Sequence, residues 1–215
     1  LGRELRVVAP EAVADAIGEG VAVLMLTEVD YRTGRRHDMA ALSAKARAAG
    51  ALTVWDLAHS AGAFEVDLAG SGADFAVGCG YKYLNGGPGA PAFLYVAPAR
   101  QAEAAPMLRG WFGHAAPFGF EADWRPAEGA DRMLTGTPPV LSMLALEAAL
   151  EVWEGVDLGA VRARSVALSE RFLAEAEARA PELVLASPRD PAARGSQLSF
   201  RHPEGYAVMQ ALIAE

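Results

Sequence analysis

Two apolar runs restrict the fold more than any other feature of the sequence. Residues 21–27 (VAVLMLT) and 51–55 (ALTVW) are continuous hydrophobic segments, as expected for strands that are buried on both faces. Between them, residues 38–49 are rich in Ala, Leu, Lys and Arg and begin at Asp38, a residue suited to cap a helix. This strand–helix–strand order predicts an α/β domain with a largely parallel sheet.

The rest of the chain continues this alternation and then changes character. Two more short strands are predicted at 74–77 and 91–96, and the Pro- and Gly-containing stretch 109–136 predicts irregular structure. Beyond it, helices and strands predict the start of a second, smaller α+β domain. These elements are helices at 140–153 and 158–178, strands at 183–186 and 196–201, and a helix that begins near Gly205.

Composition and charge exclude several classes of function. Hydrophobic residues make up 52% and charged residues 21%, which is ordinary for a soluble globular protein. A net charge of -8 leaves no basic stripe for nucleic-acid phosphates, and we interpret Arg35 and Arg36 as a solvated turn. No apolar run reaches the roughly 18 residues of a membrane span. The single cysteine, Cys79, excludes an internal disulfide and a cysteine-cluster metal site. Three histidines show no metal-ligand spacing: His37, His114 and His202.

Both ends of the sequence read as cut. The chain begins at Leu1 without the basic leader and apolar stretch of a signal peptide, and it stops at Glu215 inside a helix-like run. We therefore interpret the sequence as a fragment of a longer chain.

Polar residues converge at the predicted strand ends. In α/β sheets, ligands bind beyond the carboxyl ends of the strands. Thr27 and Asp56 end the first two strands, and the pair Tyr81 and Lys82 follows the third. The sequence therefore predicts a ligand site at this edge of the sheet.

Asp56 and Lys82 each allow two interpretations. Asp56, in VWDLAHSAG, either caps the segment after it or faces a protonated pyridine nitrogen, whose ring then accepts electrons from a substrate carbanion. Lys82, in CGYKYLNGGPG, is either a solvated charge or an amine whose pKa is lowered by desolvation. The second interpretation suits imine formation with an aldehyde.

The neighbouring loop, His59 and Trp111 also allow two interpretations each. The loop 85–89 (NGGPG) lacks the Walker and dinucleotide patterns, so its glycines favour a sharp turn beside the lysine over a phosphate cradle. His59 either orients a cofactor or satisfies a backbone group. Trp111, in WFGH, either packs in a core or contacts a cofactor.

Taken together, these strings resemble the kynureninase family, whose members are pyridoxal-phosphate (PLP) enzymes of the aspartate-aminotransferase-like fold. The matching runs keep their order from about residue 21 to the end of the chain. They are LTEVDYRTGRRHDM, WDLAHSAGA, YKYLNGGPG, GWFGH, TGTPP and HPEGYAV. Related cysteine desulfurases have a histidine directly before the lysine, where this sequence has Tyr81.

The resemblance implies a fold and a cofactor site. Residues 1–153 would be part of the PLP-binding, fold-type-I large domain, and residues 154–215 a connecting helix and the start of the small C-terminal domain. Lys82 would form the Schiff base with PLP, and Asp56 would face its ring nitrogen. Thr27 and His59 would lie by the ring and its phenolic oxygen.

The remaining implied roles concern phosphate and protons. Tyr81 would bind phosphate and is a candidate proton donor. Trp111 and Thr137 would complete phosphate binding, from a neighbouring subunit of a homodimer. The family's N-terminal phosphate-binding segment and its C-terminal carboxylate-binding arginine have no counterpart in this sequence.

The implied reaction is hydrolysis of L-kynurenine, or 3-hydroxykynurenine, to anthranilate, or 3-hydroxyanthranilate, and L-alanine. It would belong to tryptophan degradation and NAD biosynthesis in the cytoplasm. One alternative is another PLP lyase such as a cysteine desulfurase, but that chemistry needs a mobile cysteine, and Cys79 lies three residues from Lys82 in a segment expected to be rigid. The other alternative is an inactive fragment that serves only as a folding or dimerisation unit.

Overall fold

A computed structural model describes residues 2–215 and places a four-stranded sheet in the first half of the chain. The helices and strands follow in this order: α1 (Val13–Ala16), β1 (Val23–Thr27), α2 (Met39–Ala48), β2 (Leu52–Asp56), β3 (Phe75–Cys79), β4 (Ala92–Val96), α3 (Pro98–Gln101), α4 (Val140–Glu151), α5 (Leu158–Arg179), β5 (Val184–Leu185), β6 (Phe200–Arg201) and α6 (Gly205–Ala214).

The sheet has the order β1-β2-β3-β4 and is mostly parallel. β1 pairs with β2, and β2 with β3, in parallel, whereas β4 runs antiparallel to β3. The register places Thr27 opposite Asp56, so both strands end at the same level. The predicted α/β architecture with a largely parallel sheet is confirmed.

Helix α2 covers one face of this sheet. Its N-terminus is capped as predicted, because Asp38 Oδ1 accepts a hydrogen bond from the Ala41 N–H at 2.9 Å. On its inner side, Ser43 Oγ accepts from the indole N–H of Trp55 at 3.0 Å, which satisfies the polar atom of a fully buried aromatic residue. The cluster around Trp55 is the main hydrophobic core of the described residues.

The opposite face of the sheet is open. Val23 and Met25 alternate with the inward-facing residues of β1, and their exposed fractions are 50% and 71%. Leu94 of β4 lies on the same face through the strand register and is 41% exposed. Among the described residues this face of the sheet is therefore only partly covered, since Val96 on it is buried while Val23, Met25 and Leu94 are exposed.

The C-terminal third is tied to the first half by backbone hydrogen bonds. The Arg36 N–H donates to Ala193 O at 2.9 Å, and the Gly195 N–H donates to Gly34 O at 2.7 Å. Arg162, on α5, donates to the carbonyls of Arg194 and Gly195 at 2.7 and 3.0 Å. Arg162 thus holds the segment 193–195, which contacts the early hairpin formed by residues 29–36.

Most other predicted elements are also present. Residues 109–136 are irregular except for two short 3-10 turns, Trp111–Gly113 and Gly129–Met133. The strands predicted at 183–186 and 196–201 shorten to two residues each. Within residues 2–215 no helix is both long and apolar enough to cross a membrane.

Asp74 links β2 to β3 at the end of the sheet away from Asp56. Its Oδ2 accepts from the N–H and hydroxyl of Thr53 at 2.9 and 3.1 Å, and its Oδ1 accepts from Arg100 Nε at 2.7 Å. Burial raises the pKa of Asp74, but the hydrogen bonds from Arg100 and Thr53 outweigh it and hold the pKa below its usual range. The ionised carboxylate therefore stabilises the fold.

We expect Asp74→Asn to lower the free energy of unfolding of the intact protein by about 1–3 kcal/mol at neutral pH. Because the folded pKa lies below the unfolded one, this stability is present above the unfolded pKa and is lost as the pH falls through the folded value. The loss should therefore shrink below about pH 4. Urea unfolding at several pH values measures it. Asp67→Asn, an exposed aspartate that accepts only from the Gly70 N–H, is the control. An equal loss in both variants at neutral pH would contradict the role of Asp74.

Candidate active site

The candidate site lies where the parallel strands end. Thr27 and Asp56 are paired in register as the last residues of β1 and β2. Beyond them the pairing continues for one more bond, since the Glu28 N–H donates to Asp56 O at 2.9 Å. The hydroxyl of Thr27 donates to Val29 O at 2.8 Å. Both predicted residues thus sit on rigid, hydrogen-bonded backbone.

The two interpretations of Asp56 apply to different oxygens. Its Oδ1 accepts from the Ala58 N–H at 2.8 Å, which is the backbone-capping role. Its Oδ2 makes no hydrogen bond, and no arginine or lysine of residues 2–215 forms a salt bridge with the half-buried carboxylate. A buried carboxylate needs a positive or hydrogen-bonding partner. The remaining oxygen can therefore meet a cationic ligand group.

Lys82 and His59 are brought together from two different loops. Lys82 Nζ lies 3.0 Å from His59 Nε2, although the residues are 23 apart in sequence. Burial, and then the charge of Lys82, lower the pKa of His59, while Asp56 acts in the opposite direction. His59 is thus held neutral near pH 7, and its Nε2 accepts a hydrogen bond from the Lys82 amine. The lysine is half-buried, not a fully solvated charge.

The glycine-rich loop after Lys82 is a tight turn. The Asn85 N–H donates to Lys82 O, and the Gly86 N–H donates to Gly80 O, each at 2.9 Å. A Cβ at Gly80 would lie 2.8 Å from Pro91 O, and one at Gly86 would lie 2.8 Å from Gly80 O. These contacts support the prediction that the glycines allow close backbone approach beside the lysine.

Tyr81 is adjacent to this group but open to solvent. Its ring is 49% exposed, and its centroid lies 5.5 Å from Lys82 Nζ. The phenol is free to meet a ligand that lies over the lysine.

Trp111 and Thr137 lie in a different loop. Trp111 packs edge-on against Phe112 and Phe118, with centroids 4.7 and 5.5 Å apart. The Phe112 N–H donates to Thr135 O at 3.2 Å, which brings the Trp111 turn beside the segment that holds Thr137. Both residues are exposed, and among the described residues no hydrogen bond joins either to the Lys82–His59 pair.

Sequence reasoning missed two residues next to this site. Glu28 is almost fully buried, and its Oε1 accepts from Arg36 Nε at 3.1 Å. The guanidinium of Arg36 lies 4.1 Å from the centroid of the Phe64 ring. The interpretation of Arg36 as part of a solvated turn is therefore wrong. An acidic residue directly after a buried strand was the available signal, since such a residue needs a buried partner.

The side chains at the strand ends fit PLP. An amine on a half-buried loop can hold an aldehyde, and a free carboxylate oxygen can face a protonated ring nitrogen. A neutral imidazole and a hydroxyl, those of His59 and Thr27, lie beside them. Within residues 2–215 no group of three or more His, Cys, Asp or Glu side chains is placed to hold a metal ion.

We expect Lys82→Met to raise the pKa of His59, because it removes the cation 3.0 Å from the imidazole. A pH titration of the intact protein labelled with 15N-histidine measures this shift. The chain contains only one other lysine, Lys45, which is exposed on α2. Lys45→Met is therefore a matched control, and an unchanged His59 titration in Lys82→Met would contradict the contact.

Comparisons with known proteins identify similar sequences. Residues 161–215 match the family model described as the kynureninase C-terminal domain. The chain is 54% identical over 212 residues to a kynureninase of Deinococcus radiodurans, covering 98% of this chain and 52% of that protein. It is 50% identical over 215 residues to a kynureninase of Pseudomonas fluorescens, with 99% and 52% covered.

Solved structures show the same fold. A cysteine desulfurase from Thermococcus onnurineus has a TM-score of 0.78 at 24% identity, covering 95% of this chain and 50% of that one. A C-DES mutant with glycine linked to its PLP cofactor has a TM-score of 0.77 at 20% identity, covering 95% and 54%. The expected fold-type-I class is confirmed. The chain spans about half the length of the curated relatives it matches, and at 50–54% identity to them it belongs to the kynureninase family.

Proposed function

We propose that the protein containing this chain hydrolyses L-kynurenine to anthranilate and L-alanine, with PLP held on Lys82. The 3.0 Å contact between Lys82 Nζ and His59 Nε2, beside the partly free carboxylate of Asp56, is the observation that carries the proposal. The names of the relatives supply the substrate, and they are kynureninases at 50–54% identity.

PLP, when bound, supplies an aldehyde that a lysine amine can hold and a ring that accepts electrons from the substrate. The residues of the chain would bind the cofactor and transfer protons. Lys82 Nζ would hold the cofactor and, when free, would take a proton from the substrate α-carbon. Asp56 Oδ2 would face the ring nitrogen and favour its protonated form, while Oδ1 is bonded to the Ala58 N–H.

His59 and Thr27 would fix the orientation of the ring. His59 is neutral near pH 7 because burial and Lys82 lower its pKa, so it can donate or accept a hydrogen bond without adding a second cation. Thr27 lies one strand away at the same level of the sheet. With both side chains fixed at one edge of the sheet, they would limit the orientations that the cofactor can take.

Cleavage needs water and a proton donor. Water adds to the γ-carbonyl of kynurenine, the Cβ–Cγ bond breaks to release anthranilate, and Cβ and then Cα each take a proton to give L-alanine. We propose Tyr81 as the donor or relay, because its exposed ring lies next to Lys82 in sequence and 5.5 Å from Nζ in space. Tyr81 would also contact the cofactor phosphate.

A neighbouring subunit would complete the cofactor site. We place Trp111 and Thr137 at the cofactor phosphate of a neighbouring subunit in a homodimer, because both side chains are exposed in this chain. The large domain would comprise residues 1–153, with the connecting helix and small domain beginning at 154. The whole protein would act in the cytoplasm, in tryptophan degradation.

A desulfurase activity is opposed by the position of the one cysteine. Cys79 ends β3 and its Sγ lies 3.9 Å from Ala58 O. A thiol held at a strand end does not travel to a substrate.

The cofactor site can be tested by trapping. Incubation of the intact protein with PLP, followed by borohydride, should give an adduct on Lys82 and the loss of visible imine absorbance. Lys82→Arg should abolish both the adduct at this position and anthranilate release, because a guanidinium does not form the imine. Lys45→Arg should leave both unchanged, since Lys45 is exposed on α2. An adduct absent from the folded parent protein would refute the site.

Tyr81→Phe separates proton transfer from cofactor binding. We expect turnover to fall by about 100-fold or more, the range for loss of a general acid. The dissociation constant for PLP should change far less. Steady-state kinetics with kynurenine and a PLP titration measure the two quantities. Tyr31→Phe is the control, because Tyr31 is also exposed but lies on the 29–36 hairpin. Equal losses in turnover and PLP affinity would contradict the donor role.

A further inference from the structure

An ion pair between the buried Glu28 and the half-buried Arg36 lies next to the turn that carries His59. Glu28 follows Thr27, and 2% of its side chain is exposed. Arg36 approaches it with both Nε and Nη2 at 3.1 Å from Oε1. Because a buried carboxylate without a partner is costly, this contact fixes both side chains.

Arg36 extends the contact to the His59 loop. Its guanidinium lies over Phe64 at 4.1 Å from the ring centroid, and Phe64 is buried. Phe64 ends the turn that begins after Asp56 and contains His59. The pair Glu28–Arg36 thus supports one end of this turn through a cation–π contact.

Ser60 lies in the same turn. It is fully buried, and its hydroxyl has no hydrogen-bond partner among residues 2–215. Glu28 Oε2 is also buried without a partner there. Burial raises the pKa of Glu28, while Ser60 and Arg36 act to lower it, so the hydroxyl next to His59 lies within the influence of this carboxyl.

The backbone connects the pair to the strand ends as well. The Glu28 N–H donates to Asp56 O, and the His37 N–H donates to Glu28 O at 2.8 Å. The Glu28 backbone therefore contacts the strand that carries Asp56, and its side chain binds Arg36, which contacts Phe64.

We propose that Glu28 and Arg36 are positioning residues that hold the 57–64 turn, through Phe64, so that His59 Nε2 meets Lys82 Nζ. Neither residue touches the lysine itself. This role concerns the chain's own geometry, and it deepens the proposed function because His59 would orient the cofactor there.

Arg36→Lys is the main variant. It keeps the positive charge but loses the planar fork and its stacking on Phe64. Arg35→Lys is its matched control, since the two arginines are neighbours with 41% and 34% of their side chains exposed, and Arg35 pairs with the surface residue Glu11 instead. Glu28→Gln is a second variant that keeps the side-chain shape and removes only the charge.

The first readout is the pH titration of the His59 resonance in the intact 15N-histidine-labelled protein, assigned with His59→Gln. Arg36→Lys and Glu28→Gln should shift the His59 titration, and Arg35→Lys should not. This readout needs no PLP, so it tests the positioning role even if the proposed function fails. Unchanged His59 titrations in folded Arg36→Lys and Glu28→Gln proteins would overturn the inference.

The second readout is the rate at which PLP becomes trapped on Lys82 by borohydride. We expect Arg36→Lys to slow this rate by about 10- to 100-fold, the effect of misplacing a reacting group by roughly 1 Å. Arg35→Lys should match the parent. A lower melting temperature with an unchanged trapping rate and an unchanged His59 titration would show a purely structural pair and overturn the proposal.

Discussion

The parallel pairing of β1 with β2 is the interaction on which the rest of the site depends. It sets Thr27 opposite Asp56 and continues by one bond to Glu28. Loops that leave these strands must then start from the same edge, so the turn after Asp56 comes beside the loop after β3. Lys82 and His59, which follow β3 and β2, therefore meet at this edge of the sheet.

Arginines organise the layer around this edge. Arg36 joins the early hairpin to Phe64, and the guanidinium of Arg162 also lies near this ring, at 5.6 Å from its centroid. Burial, and then the neighbouring charges of Arg36 and Arg194, lower the pKa of Arg162, yet it stays bonded to three backbone carbonyls. The C-terminal segment is thus held against the hairpin by directed donors more than by apolar contact.

Much of this arrangement could be predicted from the sequence. Continuous apolar runs marked β1 and β2, and the rule that ligands bind at the carboxyl ends of parallel strands pointed to Thr27, Asp56 and Lys82. The partners of Glu28 could not be predicted, because the turn that brings Phe64 under Arg36 is not periodic. The hydrophobic pattern also does not predict that β5 and β6 have only two residues each. The N–H groups of both Ala186 and Ser187 donate to one carbonyl, that of Ser199, which ends the regular ladder.

The roles of Trp111 and Thr137 illustrate another limit. Motif strings identify residues that act together in a family, but they do not say which chain provides them. Trp111 is partly covered by Phe112 and Phe118 and has no hydrogen bond to the strand-end group in the described residues. Within the single chain, the contacts of Trp111 are therefore those of a packing residue.

The scarcity of lysine has a consequence for chemoselectivity. Lysine provides two of the 19 basic side chains, and the rest are arginines, whose guanidinium groups do not condense reversibly with simple aldehydes. A reactive carbonyl compound that meets this part of the protein finds one competing side-chain amine, on the open surface of α2. An aldehyde cofactor at low concentration would therefore form few adducts with other side chains. Amine-directed probes would report on Lys82 with little background from other residues.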